Sequence, residues 1–201
     1  LLPRPGKDEE TVLLDVDRWG DVRIKSSILP TKSSIQTLLA CLGRGAYRVN
    51  VRPHLPYLLR TVAHPAAEIA AERLFSSLIW DLEWLEEWMG FDQDAMMHGI
   101  EEKLRLDRIH TIARRVLRDV GIAKFERGLY LEPEKSVKDL WNETIGATWP
   151  SEDGGNMHES VPEEALNELI DELVCFPLES QHSLLGEVLA WQLRAFIGEE
   201  L

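Results

Sequence analysis

The clearest helical pattern in the sequence is PAAEIAAERLFSSLIWDLEWLEEWM, which runs from residue 65 to residue 89. Pro65 suits the first turn of a helix, where its missing N–H leaves no hydrogen bond unmade. Apolar side chains then recur at alternating spacings of four and three residues, at Ala71, Phe75, Leu78, Leu82, Leu85 and Met89. Because this spacing places them on one face, it predicts a continuous helix from Pro65 to Met89, ended by Gly90.

A second apolar stripe runs beside the first on this predicted helix. It consists of Trp80, Trp84 and Trp88, each one helical turn from the next. Two adjacent apolar stripes indicate that more than one neighbour packs against the helix. We therefore expect Leu78, Leu82 and Leu85 to be buried and at least two of the three Trp side chains to be mostly buried.

Further helices are predicted on both sides of this stretch. Apolar residues at 35, 38, 39 and 42 share a face and predict a short helix that ends at Gly43. A long helix is expected from about Asp94 to Val120, with a stop near Gly121. Three more helices are predicted. Two of them cover about 134–145 and about 181–197. The third lies between them, begins at a capping box at 160–163 and ends before Pro177. A loop is predicted at Trp149–Ser160.

Strand patterns are short and few. Val12–Asp17 and Val22–Lys25 alternate apolar and polar residues around a turn that contains Gly20, which is typical of a β-hairpin. Short strands are also predicted at 47–52 and 124–131.

The predicted fold is therefore mainly α: a helical bundle of about five or six helices with a small N-terminal β-hairpin. We expect residues 1–60 to form a small N-terminal α/β lobe and residues 61–201 to form a helical domain. One continuous domain is the alternative at this length.

The composition indicates a folded protein. Of its 201 residues, 44% are apolar and seven are Trp, which is enough for a core. No apolar run reaches 18 residues, so no membrane contact is expected. Cys41 and Cys175 are too few and too distant for a disulfide framework, and we expect buried thiols in an intracellular protein, cytoplasmic or nuclear. Because the chain starts Leu1-Leu2-Pro3, we expect it to be a piece of a longer protein.

Charge is distributed in blocks of alternating sign. The net charge of the chain is −13, and residues 1–60, 61–102, 103–138 and 139–201 carry +4, −9, +5 and −13. Residues 139–193 contain twelve acids and no Lys or Arg. The C-terminal third is therefore expected to leave an acidic surface that selects a basic partner.

The last predicted helix has apolar residues on most of its sides, so either the core or another chain must cover it. Together with the acidic block, this predicts a non-enzymatic protein–protein interaction or scaffold subunit of a larger intracellular assembly. The partner is expected to be a protein with a basic rim, or a second copy of the chain. The predicted partner-binding residues are Leu189, Trp191, Phe196, Glu168, Asp171 and Glu172.

A nucleic-acid-associated protein is the alternative. Arginines cluster on one side of the predicted helix within residues 103–127, and two more follow Gly43. The residues concerned are Arg108, Arg114, Arg115, Arg118, Arg48 and Arg52. The competing interpretation is that these arginines pair with acids of the same chain.

Enzymatic function is the third hypothesis, since the sequence contains no P-loop, no Gly-x-Ser-x-Gly and no His-Glu-x-x-His. Only one Glu-x-x-His occurs, at Glu179 and His182, whereas di-iron bundles need two. His98 and His110 would differ by about 120° around one helix. No metal or other cofactor is therefore predicted.

Overall fold

The computed structural model describes residues 11–51, 54–90, 99–148 and 163–200. This part of the chain contains two strands and seven α-helices: β1 (Val12–Asp15), β2 (Val22–Lys25), α1 (Lys32–Val49), α2 (Pro65–Ser76), α3 (Leu82–Met89), α4 (Ile100–Leu131), α5 (Val137–Thr148), α6 (Glu163–Cys175) and α7 (Glu179–Glu200). The predicted mainly-α fold with an N-terminal hairpin is confirmed. Three predictions fall on residues that the structure does not describe: the loop at Trp149–Ser160, the capping box up to residue 162, and the helix start near Asp94.

The hairpin is antiparallel and is closed by an aspartate. Val12 faces Lys25 and Asp15 faces Val22 across the two strands. In the turn, Asp17 Oδ1 accepts hydrogen bonds from the backbone N–H groups of residues 19 and 21, at 2.8 and 3.1 Å. An Asx side chain that satisfies the turn backbone fixes the strand register from the tip.

The predicted continuous helix from Pro65 to Met89 is wrong in its middle. Residues Ser77–Trp80 form a 3-10 turn, and Asp81 adopts an extended conformation that ends it. The Asp81 carboxylate then caps α3 by accepting the backbone N–H of Trp84. Ser77 Oγ also donates to the carbonyl of Leu74, a local bond that competes with the helical ladder.

This break changes which side chains are buried. Leu85 is buried at 4% exposure, whereas Leu78 and Leu82 are only half-buried. Trp80 and Trp84 are also half-buried, and Trp88 is 69% exposed. The expectation that all three leucines are buried therefore holds only for Leu85, whereas the expectation that at least two tryptophans are mostly buried is met by Trp80 and Trp84.

Several glycines that were predicted to end helices lie inside them. Helix α1 continues through Gly43 to Val49, so the predicted helix end at Gly43 and the strand at 47–52 are wrong. Helix α4 likewise continues through Gly121 to Leu131, so the predicted strand at 124–131 is also wrong. At Gly43 the reason is tertiary, because a Cβ there would overlap the carbonyl oxygen of Ala71 on α2.

The chain divides into two compact units, residues 1–105 with 185–201 and residues 106–184. The core of the first unit contains Leu39, Ile79 and Leu85, with Leu104 packed against it. The predicted division near residue 60 stays a prediction.

The core of the second unit is built around Phe125, whose ring meets Trp141 edge-on at 5.9 Å between centroids. Beside it lies the fully buried Glu126, which accepts the backbone N–H of Leu178 at 2.8 Å. Leu178 has a φ of +65°, a conformation that non-glycine residues adopt only where other contacts hold them. Glu126 supplies such a contact at the turn that leads into α7.

Replacing Gly43 by Ala is expected to destabilise the protein by about 1–3 kcal/mol, as overpacking does, because the new methyl group would meet the α2 backbone. Gly45→Ala is the matched control in the same helix. Its methyl group would lie 3.5 Å from Leu13 and 3.7 Å from Val22, and Ala is the better helix former by about 1 kcal/mol. Urea denaturation measures both changes, and equal effects would contradict the close contact at Gly43.

Replacing Leu85 by Ala is expected to reduce the free energy of unfolding by about 2–5 kcal/mol, since it leaves a cavity in the core of the first unit. Trp88→Ala in the same helix is the control. Its side chain is mostly exposed, so its loss should change stability by about 0.5 kcal/mol or less. A comparable loss for both variants in thermal melts would show that α3 faces the other way.

Candidate functional site

Helix α7 packs against α2 through small residues. Gly186 lies directly against the side chain of Ile69, so closely that a Cβ on Gly186 would overlap it. Ala190, one turn further along, is buried as well. Small side chains at these positions let the two helices approach closely.

Polar contacts hold the same side of α7. Glu187 is buried, and its carboxylate lies 3.6 Å from Arg73 Nε of α2, an ion pair longer than a hydrogen bond. Further along, Arg194 donates to Ser77 Oγ at 3.0 Å and lies 3.5 Å from Asp81 Oδ2. The partners of Arg194 lie at the junction between α2 and α3, so the part of α7 that belongs to the first unit is held at Glu187 and again at Arg194.

The opposite face of α7 is apolar and exposed. At about 100° per residue, residues 185, 188, 189, 192 and 196 fall on one side of the helix, away from Gly186, Glu187, Ala190 and Arg194. Four of the five are large apolar residues and all four are exposed, Val188 to 57% and Phe196 to 61%. We call Leu185, Val188, Leu189 and Phe196 the outer face of α7.

Trp191 lies at the edge of this outer face. Its ring is 57% exposed, and its Nε1–H donates to Glu187 Oε1 at 3.0 Å. Because Glu187 is itself held near Arg73, the hydrogen bond fixes the orientation of the indole. The sequence predicted Leu189, Trp191 and Phe196 as partner-binding residues, and all three are exposed on α7.

The predicted acidic residues lie on α6, in the second unit. Glu168, Asp171 and Glu172 are exposed, while Leu166 and Leu173 of the same helix are buried. The helix therefore presents these three carboxylates to solvent and these two leucines to the core. The two predicted groups, on α6 and α7, belong to different units, and each forms a surface of its own unit.

The predicted arginines are divided among several environments. On α4, Arg114 and Arg118 are exposed, whereas Arg108 and Arg115 are half-buried. Arg48 on α1 pairs with Glu68 of α2, with Nε at 2.5 Å from the carboxylate. Arg52 lies outside the described residues. For Arg48 the structure thus supports the competing interpretation, that an acid of the same chain neutralises it.

Buried ion pairs between α1 and α2 were not found from the sequence. Glu72, which is 7% exposed, accepts from Arg44 at 2.5 Å and from Arg73 at 2.7 Å. Arg44 and Glu72 are 28 residues apart, so no local spacing signals the pair. The block pattern of charge contained the only hint, since a basic block is followed by an acidic one.

The free cysteines differ from expectation at one position. Cys175 is exposed, which corrects the prediction that both thiols are buried, and Cys41 is half-buried. Burial raises the pKa of the Cys41 thiol, and the neighbouring Arg44 opposes this only in part. A raised pKa keeps the thiol protonated at neutral pH, which makes Cys41 a weak nucleophile.

Neither a metal centre nor a membrane-crossing helix is found in the part of the chain that the structure describes. No three His, Cys, Asp or Glu side chains there converge as ligands for a metal ion. Of the predicted histidine candidates, His98 lies outside the described residues. Among the described helices none has the length and apolar character needed to cross a bilayer.

Comparison with known proteins gives no relative. No protein-family model matches the chain, no curated protein sequence matches it, and no solved structure matches its fold. Any functional inference therefore rests on the residues themselves.

The nucleic-acid hypothesis predicts that the protein binds RNA or DNA at about 50 mM salt and that affinity falls steeply as salt rises. Replacing Arg114, Arg115 and Arg118 together by Ala should weaken this binding. Arg105→Ala on the same helix is the control, because Arg105 is an exposed arginine outside the predicted group. Fluorescence anisotropy with labelled oligonucleotides measures the affinity, and no binding at the lowest salt would remove the hypothesis.

Proposed function

We propose that the protein is a non-enzymatic interaction subunit whose outer face of α7 binds a partner protein. The observation that carries this proposal is the orientation of α7. Its small and polar residues face the first unit, whereas its large apolar residues face solvent.

This orientation is the reverse of that in an ordinary surface helix, where the apolar stripe faces the core. The inward ion pair of Glu187 and the contacts of Arg194 show that α7 is not loosely attached. Contiguous exposed apolar residues on a firmly held element are typical of a surface that another molecule covers. Covering Val188 or Phe196 would contribute on the order of 1–3 kcal/mol each, before the costs of association.

The geometry also favours α7 as a pre-organised binding surface. Trp191 is already oriented by Glu187, so less side-chain entropy is lost when a partner contacts it. Aromatic residues at the centre of an interface often carry much of the binding energy. Trp191 and Phe196 are therefore the proposed anchors.

Charge argues for a separate protein rather than a second copy. The chain carries −13 overall, and residues 139–193 have twelve acids with no Lys or Arg. Two copies would repel each other, whereas a partner with an apolar groove and a basic rim would be attracted. The exposed acids Glu168, Asp171 and Glu172 are proposed to speed its approach. An intracellular location, without a cofactor, belongs to the same proposal.

The test compares two double variants in which exposed apolar residues become serine. Val188→Ser with Phe196→Ser replaces two of the four residues of the outer face of α7, and Leu58→Ser with Leu59→Ser replaces exposed leucines of the 3-10 turn at Tyr57–Leu59. Val188 is preferred to Trp191 here, because losing the indole would also disturb Glu187. Both variants should melt within a few degrees of the parent, since surface substitutions change stability little.

In quantitative capture from cell extract, proteins retained by the parent and by the Leu58 and Leu59 variant should be lost with the α7 variant. Their retention should also weaken as salt rises. Unfolding of the α7 variant would show that this face is ordinary core. A concentration-dependent dimer in sedimentation, lost in the α7 variant, would replace the partner with a second copy.

A further inference from the structure

We propose that a cavity beside the hairpin binds a small phosphate ester, which makes this a ligand site independent of α7. The cavity has a volume of about 460 Å³, within the range of small-molecule sites. Its apolar walls come from β1, the end of α1 and the segment that precedes α2, and include Leu13, Val16, Val51 and Val62. Three arginines complete the lining, Arg18, Arg48 and Arg60.

Two of these arginines are held by aromatic rings in a reciprocal arrangement. Arg60 of the segment after α1 lies over the ring of Trp19 in the hairpin turn, 4.1 Å from its centroid. Arg18 of the hairpin turn lies over Tyr57, at 5.0 Å. Arg60 is further fixed by its Nε, which donates to the carbonyl of Leu55 at 2.8 Å. Both guanidinium groups thus have set positions next to the cavity.

A contact with an aromatic ring leaves a guanidinium with free hydrogen-bond donors. The group carries five N–H donors, and its attraction to a ring involves no carboxylate, so the positive charge is not cancelled. These donors match the paired oxygens of a phosphate or carboxylate, which arginine binds in a bidentate manner. An oxyanion in the cavity would therefore complete contacts that the rings do not make.

The charge balance of the lining favours an anion as well. Within the described ranges, neither Arg18 nor Arg60 forms an ion pair, whereas Arg48 pairs with Glu68. The one acid in the lining, Asp15, uses a carboxylate oxygen to accept the backbone N–H of Arg18 at 2.9 Å. Two arginines without carboxylate partners in one cavity match the two negative charges of a phosphate monoester.

The walls define the rest of the ligand. Valine and leucine side chains offer no hydrogen bonds, so they suit an apolar or aromatic group of a few carbons attached to the phosphate. A free inorganic phosphate would leave this part of the cavity unfilled. Phenyl phosphate represents the proposed class of ligand. Benzoate has the aromatic ring with a carboxylate in place of the phosphate, and inorganic phosphate lacks the ring, so the two separate the contributions of the phosphate and of the apolar group to binding.

Isothermal titration calorimetry of the full chain with phenyl phosphate, benzoate and inorganic phosphate tests the proposal. Phenyl phosphate should bind most tightly. Arg18→Gln and Arg60→Gln should each weaken it by about tenfold, the usual effect of losing one charge-assisted contact. Arg60→Lys keeps the charge without the planar fork, so it should restore only part of the affinity. Arg23→Gln, which removes a hairpin arginine paired with Asp21 and outside the cavity, should have no effect.

Three results would overturn the proposal. One is no detectable binding of phenyl phosphate at millimolar concentration, and another is undiminished binding in the Arg18→Gln and Arg60→Gln variants. In either case the contacts of Arg18 with Tyr57 and of Arg60 with Trp19 only hold the hairpin in place. The third is tighter binding of benzoate, which would exclude a phosphate. Arg18→Gln decides the outcome if Arg60→Gln fails to fold, because the backbone bond of Arg18 to Asp15 remains. Loss of the outer face of α7 should leave this binding unchanged.

Discussion

Helix α2 is the element on which the first unit depends, because two other helices approach it more closely than ordinary side chains allow. Gly43 brings α1 against the backbone at Ala71, and Gly186 brings α7 against Ile69. Between these contacts, Ala66 and Ala70 are fully buried. At such short separations, carboxylates and guanidinium groups on the flanks can pair directly, and Arg44 with Glu72 and Arg48 with Glu68 do so. The small residues thus determine where the charged residues meet, and loss of the close contact would also separate the pairs.

Local features of the fold follow from the sequence more directly than tertiary ones do. Patterns that act within a few residues were predicted well: the hairpin around the turn that contains Gly20, and α7 from its apolar content. The errors concern Gly43 and Gly121, which look like helix ends from the sequence. Glycine permits both a helix end and a close crossing, and only the position of a second helix separates the two uses. The break at Ser77–Asp81 was missed because the apolar spacing continues unchanged across it.

The candidate site was predictable to a similar degree. A helix apolar on most sides must be covered by something, and that much follows from the residues. Which side remains exposed depends on partners far away in the chain, since Arg194 contacts Ser77 across 117 residues. The sequence also suggested that arginines near Gly43 serve nucleic acid, whereas Arg48 pairs with Glu68. Arg18 and Arg60 gave no signal, because each is an isolated residue until the hairpin meets the segment after α1.

The negative net charge of the chain favours a partner with a basic rim at α7 but opposes the binding of an anion in the cavity. A chain of net charge −13 attracts cations, so it can hold an anion only where positive charge is concentrated and not neutralised by nearby carboxylates. In the cavity, aromatic rings position Arg18 and Arg60, a role that acids perform for Arg44 and Arg73 elsewhere in the unit. An acid would position a guanidinium equally well but would occupy its donors and cancel its charge. A contact with an aromatic ring holds the group without cancelling its charge and leaves donors for a ligand, which is why the cavity is suited to an anion although the protein as a whole is acidic.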